Sequence, residues 1–597
     1  MKRNLLTCSF AAMLLATPAM AQHRIDQIAP ARSFVVAGLD NPRATMDGLQ
    51  RTRLWELWQH PDIQGLAAEM LTEFSEGIEE MFRELDVNLD SMPLPAGPSG
   101  IAVFMVMDQD MGISTPGVLV NMDFGDEADD MQTLLDAIMA KIREEGGTVE
   151  EQQILGRTVF SITGPEPEVA DDDPDDWDDW DDFDFDPLGG MFDGAFDSFS
   201  TMHLTRVGTS FVMTNLVDTL VDTLQRIDGI AGPVIGDDVM FQRSIDQIGG
   251  RGDGYVVLMM PELREMLRNA PDLMMFMPMA AGPIEALGLG NVDAFSMSVT
   301  IDGLSMVDQK LGILINGEKK GLMRLLAVEG PKGQLPGFVS PETSSYGRLN
   351  FNFRGLMEVV NDVIRSLPEE VRFEAEQMMV EVGPMIEQGL NALGPDIHII
   401  ETIRQPMTAE SKSMLVAINS PRPDDLHGLI GMMAPGMGLE QREFLGQAIF
   451  SDPNGWFDIA IGLGGGFVVI GQERAVEQAL RTTGQAGLPS LADERPYQRI
   501  LAALPAGNVT AWNFTNTIAV IEHMMAEMAN PAWQMGAFFD DLPENVRQDM
   551  LENMQGIDPN TLPDIELLRQ YFGPSGWQMI STADGFVMTT YFFGPTE

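Results

Sequence analysis

Phe211-Val-Met-Thr-Asn and Phe467-Val-Val-Ile-Gly open two stretches that match at a single spacing of 256 residues, with no gap over more than 30 positions. Each strand-like segment follows glycine, Gly208 in one case and Gly464 to Gly466 in the other. Each runs on into an amphipathic helix, with Leu216, Val217, Leu220 and Leu224 set against Val476 and Leu480. Pro233 then matches Pro489, and Phe241-Gln242-Arg243 matches Tyr497-Gln498-Arg499. A chain with such internal similarity builds one unit twice, so two related halves are expected.

The rest of the chain divides accordingly. Strand-then-helix entries begin at Ser33, Gly254, Ser345 and Val509. The first and third open the halves, and the others follow the Phe/Tyr-Gln-Arg helices. Apolar residues at helical spacing run from Ile63 to Leu85 behind Pro61, and from Val371 to Leu390 behind Pro368. Antiparallel pairs are expected at 101–107 with 118–124, 397–403 with 414–418, 295–299 with 310–315, and 577–580 with 586–593. The expected class is α+β, two duplicated halves, each with mainly antiparallel sheet and long amphipathic helices. Residues 22–328 and 345–597 form the halves. Residues 329–344, with Gly330-Pro331, Gly333, Pro336-Gly337 and Pro341, read as the linker.

Lys2 and Arg3, the apolar run from Leu5 to Leu15, and Ala19-Met20-Ala21 before Gln22 have the form of a secretory leader, residues 1–21. Its removal would take Cys8, the only cysteine, so stability must come from burial and not from disulfides. No later segment has transmembrane character: Leu273 to Gly290 is broken by Pro278, Pro283 and Glu285. The net charge of −54 repels nucleic acid and anionic membranes. An exported protein in the periplasm or outside the cell, meeting an extracellular or envelope protein, is the expectation.

The Phe467-Val-Val-Ile-Gly strand before Ala475-Val-Glu-Gln-Ala-Leu480, and the segment Pro496-Tyr-Gln-Arg-Ile-Leu-Ala-Ala-Leu-Pro505, resemble a family of exported bacterial two-repeat proteins of unknown function. That resemblance implies the fold and export. It carries over no catalytic residues.

Between the strands at 158–162 and 202–206 lies an Asp-rich insert, residues 165–198. Asp fills eleven of the sixteen positions from 171 to 186. Mutual repulsion favours a solvated, extended loop. Asp171, Asp172, Asp173, Asp175, Asp176, Asp178 and Asp179 offer hard oxygen donors for weak calcium association, although no EF-hand spacing is present. Trp177, Trp180, Phe183 and Phe185 offer apolar anchors for a partner. The three readings of the insert stay open.

Elsewhere the motifs are bland. The methionines suit core packing better than soft-metal ligation. The six histidines show no metal spacing, and His398 sits in an apolar strand. Gly464 to Gly466 lead into a strand and read as a hairpin turn, not a phosphate loop. Arg251-Gly252-Asp253 reads as a tight turn despite its likeness to an adhesion tripeptide. A non-enzymatic binding or envelope-associated module is the leading expectation. A hydrolase with an unrecognised carboxylate pair, and calcium-dependent adhesion through the insert, are the alternatives. No cofactor other than weakly held calcium is expected.

Overall fold

The computed structural model describes residues 23–65, 92–107, 114–164, 200–230, 232–269, 277–301, 308–408, 411–454, 458–483, 485, 488–529 and 562–595. The leader, the Asp-rich insert and most of the helix expected over 63–85 lie outside these. Of that helix, residues 61–65 are described and are helical.

The first ten strands are β1 (Ser33–Leu39), β2 (Ser99–Met107), β3 (Ser114–Asp123), β4 (Thr148–Ile154), β5 (Arg157–Thr163), β6 (Thr201–Val207), β7 (Ser210–Thr214), β8 (Gly254–Met259), β9 (Val292–Thr300) and β10 (Asp308–Ile315). The next ten are β11 (Thr343–Asn350), β12 (Asp396–Ile403), β13 (Lys412–Asn419), β14 (Glu440–Phe444), β15 (Gln447–Ser451), β16 (Ala460–Gly464), β17 (Phe467–Gly471), β18 (Ala511–Thr515), β19 (Ser575–Thr582) and β20 (Gly585–Phe592). All are antiparallel to their neighbours, and the class is α+β.

Hydrogen bonding joins the first ten in the order β4-β5-β6-β7-β3-β2-β1-β8-β9-β10. It joins the second ten in the order β14-β15-β16-β17-β13-β12-β11-β18-β19-β20. The strand at each place in the second order comes ten after its counterpart in the first. β10 then pairs with β20, from Asp308 opposite Tyr591 to Leu314 opposite Gly585, so one sheet runs through both. This seam is tight. A Cβ on Gly585, whose φ is 141°, would lie 1.8 Å from the Ile313 carbonyl oxygen. Val292, Ile315, Met323 and Phe586 close a small core beside it.

Helices cover the sheet. In the first half these include a helix over Pro42–Gln50 after β1, then α1 (Ala128–Glu144), α2 (Val217–Ile227), α3 (Val239–Gln247) and α4 (Met260–Asn269). In the second they include α5 (Phe353–Ser366), α6 (Glu369–Ala392), α7 (Pro423–Met433), α8 (Glu473–Thr482), α9 (Arg495–Ala503) and α10 (Thr517–Met528). Alternation along β2 and β3 serves two cores. Ala102, Phe104 and Leu119 face Leu220, Leu224 and Phe241 from α2 and α3. Val118, Val120 and Met122 face Met131, Leu135 and Met139 of α1. In the second half Val476 and Leu480 of α8 and Tyr497 and Ile500 of α9 pack on Tyr346, Leu415, Val469 and Trp512. Each large apolar side chain so buried contributes roughly 1.5–3 kcal/mol.

Local signals explain the boundaries. Asn41 ends β1's loop and caps the next helix by accepting from the Ala44 amide; Asn352 does the same after β11 through the Gly355 amide. Gly465 and Gly466, at φ 59° and 82°, make the two-residue turn between β16 and β17. The expected hairpin is therefore present. The Gly- and Pro-rich segment from 329 to 344 is more than a tether. Gly330–Pro331 pairs with Asn508–Val509, and Val339 is fully buried in the second core. Methionine is likewise not confined to cores: Met432, Met433 and Met437 are exposed at the end of α7 and in the turn after it.

Candidate functional site

Asp171, Asp172, Asp173, Asp175, Asp176, Asp178 and Asp179, together with Trp177, Trp180, Phe183 and Phe185, lie outside the described residues. The strand ends that carry the insert are described. Thr163 of β5 pairs with Thr201 of β6, their hydroxyl oxygens 2.8 Å apart. The insert thus leaves and re-enters at one point at the end of a hairpin, where its length costs little closure entropy. At the equivalent place in the second half, Ser451 pairs with Ala460.

The ionisable groups most altered by folding sit in interior networks. On β11 and β12, the Tyr346 hydroxyl and His398 Nδ1 share a hydrogen bond of 2.8 Å. Tyr346 lies against Trp512, and Trp512 against Tyr497, with centroids 5.3 and 5.9 Å apart. Directly opposite His398 on β11, Arg348 donates to Asp396 and to the Pro331 carbonyl. Burial, reinforced by the Arg348 charge and opposed by Asp396, lowers the His398 pKa to about 4. Burial pushes the Tyr346 hydroxyl far upward. Both rings are therefore neutral at pH 7, and they act as ties between strands.

His398 gives a measurable pH dependence. Between pH 6.5 and about 4 the unfolded chain holds a proton that the folded chain refuses. The stabilisation is complete above pH 6.5 and is lost as pH falls toward 4, about 3 kcal/mol in all. Denaturant midpoints across this range should fall more steeply for the natural chain than for His398→Asn. Parallel profiles would remove His398 from the account.

The first half has a comparable tie. Buried Asp26 accepts from Arg251 Nη2 at 2.8 Å and from Arg24 Nε at 3.2 Å. The Arg251 guanidinium lies 5.5 Å from the centroid of Tyr255. Gly252, at φ 62°, turns the chain, and Asp253 accepts from the Ile301 amide at 2.7 Å. The Arg251-Gly252-Asp253 tripeptide is thus a turn whose two charged side chains are engaged within the protein.

Two carboxyl groups of the first half have raised pKa values. Burial is the main cause for Glu262 on α4 and for Asp293 on β9, and the nearby Asp238 charge adds to both, while Arg264 opposes it. Asp238 is held in place as the N-cap of α3, accepting from the amides of Met240 and Phe241. With 90 acidic residues, no spacing could single these out beforehand. Among the described residues no group of three or more His, Cys, Asp or Glu is arranged to hold a metal ion.

The outer hairpins carry a feature that the sequence reading missed. Ile154 pairs with Arg157 and Phe444 with Gln447, leaving two-residue turns. The first turn residue is Leu155 at φ 50°, or Leu445 at φ 52°, followed in each case by a left-handed glycine. Asn or Gly is the usual occupant of that first position. The leucines are 48% and 67% exposed. A signal for them exists: Glu150, Leu155, Gly156, Phe160 and Ser161 recur as Glu440, Leu445, Gly446, Phe450 and Ser451, 290 residues on. The spacing falls to 256 after the insert, a difference of 34, which is the length of 165–198.

Comparison with protein-family models, curated proteins and solved structures finds no match. Among the described residues no helix is long and apolar enough to cross a membrane.

Proposed function

We propose that this chain is an exported, strongly acidic protein of two repeated units that acts as a binding or envelope-associated module. The observation that carries the reading is where its altered ionisable groups are spent. Tyr346 and His398 are buried and bonded to each other across neighbouring strands, and Arg251 is bonded to buried Asp26, so these groups serve the fold. The two ten-strand orders and the shared spacings support the duplication. Lys2, Arg3 and the Ala19-Met20-Ala21 ending support export. The likeness to exported two-repeat proteins points the same way.

A second reading, an extracellular hydrolase, draws on Glu262 and Asp293. A panel of glycoside, ester, peptide and phosphoester substrates tests the two together. The binding reading expects no turnover above buffer. Turnover that disappears in Glu262→Gln and Asp293→Asn would replace it with the hydrolase. The calcium-adhesion reading of the insert is separated by calorimetric titration of calcium into the intact chain and into a 171–186 deletion. Saturable heat confined to the intact chain is what that reading requires.

A further inference from the structure

We propose that Leu155 and Leu445, at the tips of the β4–β5 and β14–β15 hairpins on the two outer edges of the sheet, are equivalent anchors, each for a copy of a protein partner that offers an apolar socket bordered by basic side chains. The inference rests on the binding reading and says where the binding occurs.

Several observations converge on these tips. A leucine at positive φ is unfavourable, because the side chain crowds its own carbonyl. Burial recovers only part of that cost, since Leu155 is about half exposed and Leu445 two-thirds exposed. The same residue in the same conformation nevertheless stands at the same place in both ten-strand orders. Strain kept at an exposed position is a mark of function.

The hairpins are also braced. Arg157, beside the first tip, makes two contacts of 2.9 and 2.5 Å with Asp228 at the end of α2. Arg442, beside the second, reaches Glu473 and Glu477 on α8, the latter at 2.6 Å. Arg442 and Arg481 both lie over the Phe444 ring. Each leucine is therefore presented by a fixed support tied to the corresponding helix, which lowers the entropy lost on docking.

Charge selects the partner. Arg157 and Arg442 are taken up by their own carboxylates and Arg481 lies over the Phe444 ring, leaving Glu151 and Glu443 as the exposed charges of the edge strands nearest the tips. A socket with a basic rim complements them. A second copy of this chain, or an anionic lipid surface, would meet a body of net charge −54 and be repelled.

The test is photocrosslinking of the full chain in its producing cell. A benzophenone amino acid replaces exposed Gln153 or Glu443, one beside each tip, and a comparison probe replaces Val380 of α6, which is 81% exposed. Both tip probes should join the same polypeptide. The adducts should fall at least tenfold in the double variant Leu155→Asn, Leu445→Asn, whose melting temperature should equal or exceed that of the natural chain because asparagine accepts positive φ. Adducts unchanged in that variant, or made with lipid or with the chain itself, overturn the proposal. Adducts at Val380 and none at the tips would also overturn it, yet leave the binding reading standing. A double variant that melts well below the natural chain would show that the leucines serve the fold, and would overturn the proposal too.

Discussion

Replacing Asp396 with alanine is expected to destabilise the second half by about 3 kcal/mol, the low end for breaking an ion pair whose cation is buried, because the Asp396 side chain is itself 27% exposed. The Arg348 side chain is only 5% exposed, and its guanidinium is held by the Asp396 carboxylate and the Pro331 carbonyl. Without the carboxylate, the cation keeps the Pro331 carbonyl as its one acceptor and gains only the water that enters at the partly exposed position 396. The double replacement Arg348→Met, Asp396→Leu should recover most of the loss, since an apolar pair of similar volume needs no compensation. Denaturant unfolding of the three variants gives the coupling directly. A loss below about 1 kcal/mol for Asp396→Ala would place the pair with ordinary surface contacts.

Trp512→Ala should cost a similar amount, about 3–5 kcal/mol, for a different reason. Trp512 is fully buried on β18 between Tyr346 and Tyr497, so truncation leaves a cavity that a sheet on one side and α9 on the other cannot close. Its indole nitrogen has no hydrogen-bond partner among the described residues. Trp512→Phe should therefore cost much less than truncation, since it keeps most of the ring and removes an unpaired donor. Equal losses for alanine and phenylalanine would show that the indole is bound in a way the geometry does not reveal.

What could be read in advance follows from how locally each feature is written. α3 and α9 announce themselves because Phe241 and Tyr497, with their flanking residues, keep one helical period and one spacing. His398 is recognisable as a packed residue from the isoleucines around it. The Gly465-Gly466 turn follows from glycine alone. The hairpin leucines escaped because the spacing of matching residues changes from 290 to 256 just after them. Arg348 and Asp396 carry no local sign of meeting, as their contact depends on β11 and β12 pairing across the two helices, α5 and α6, that separate them in the chain. The 329–344 segment misleads because glycine and proline suit a two-residue pairing as well as they suit a tether.

The seam between β10 and β20 has a consequence for the order of events in the life of the chain. β10 ends at Ile315, and its partner spans Gly585–Phe592. When the first half emerges, β10 is an open edge with unsatisfied amides and carbonyls, and it stays so until some 270 further residues have followed. Under the proposed export, the chain would cross the membrane with the sheet incomplete. The interval between the arrival of β10 and that of β20 is when a holding chaperone has most to shield.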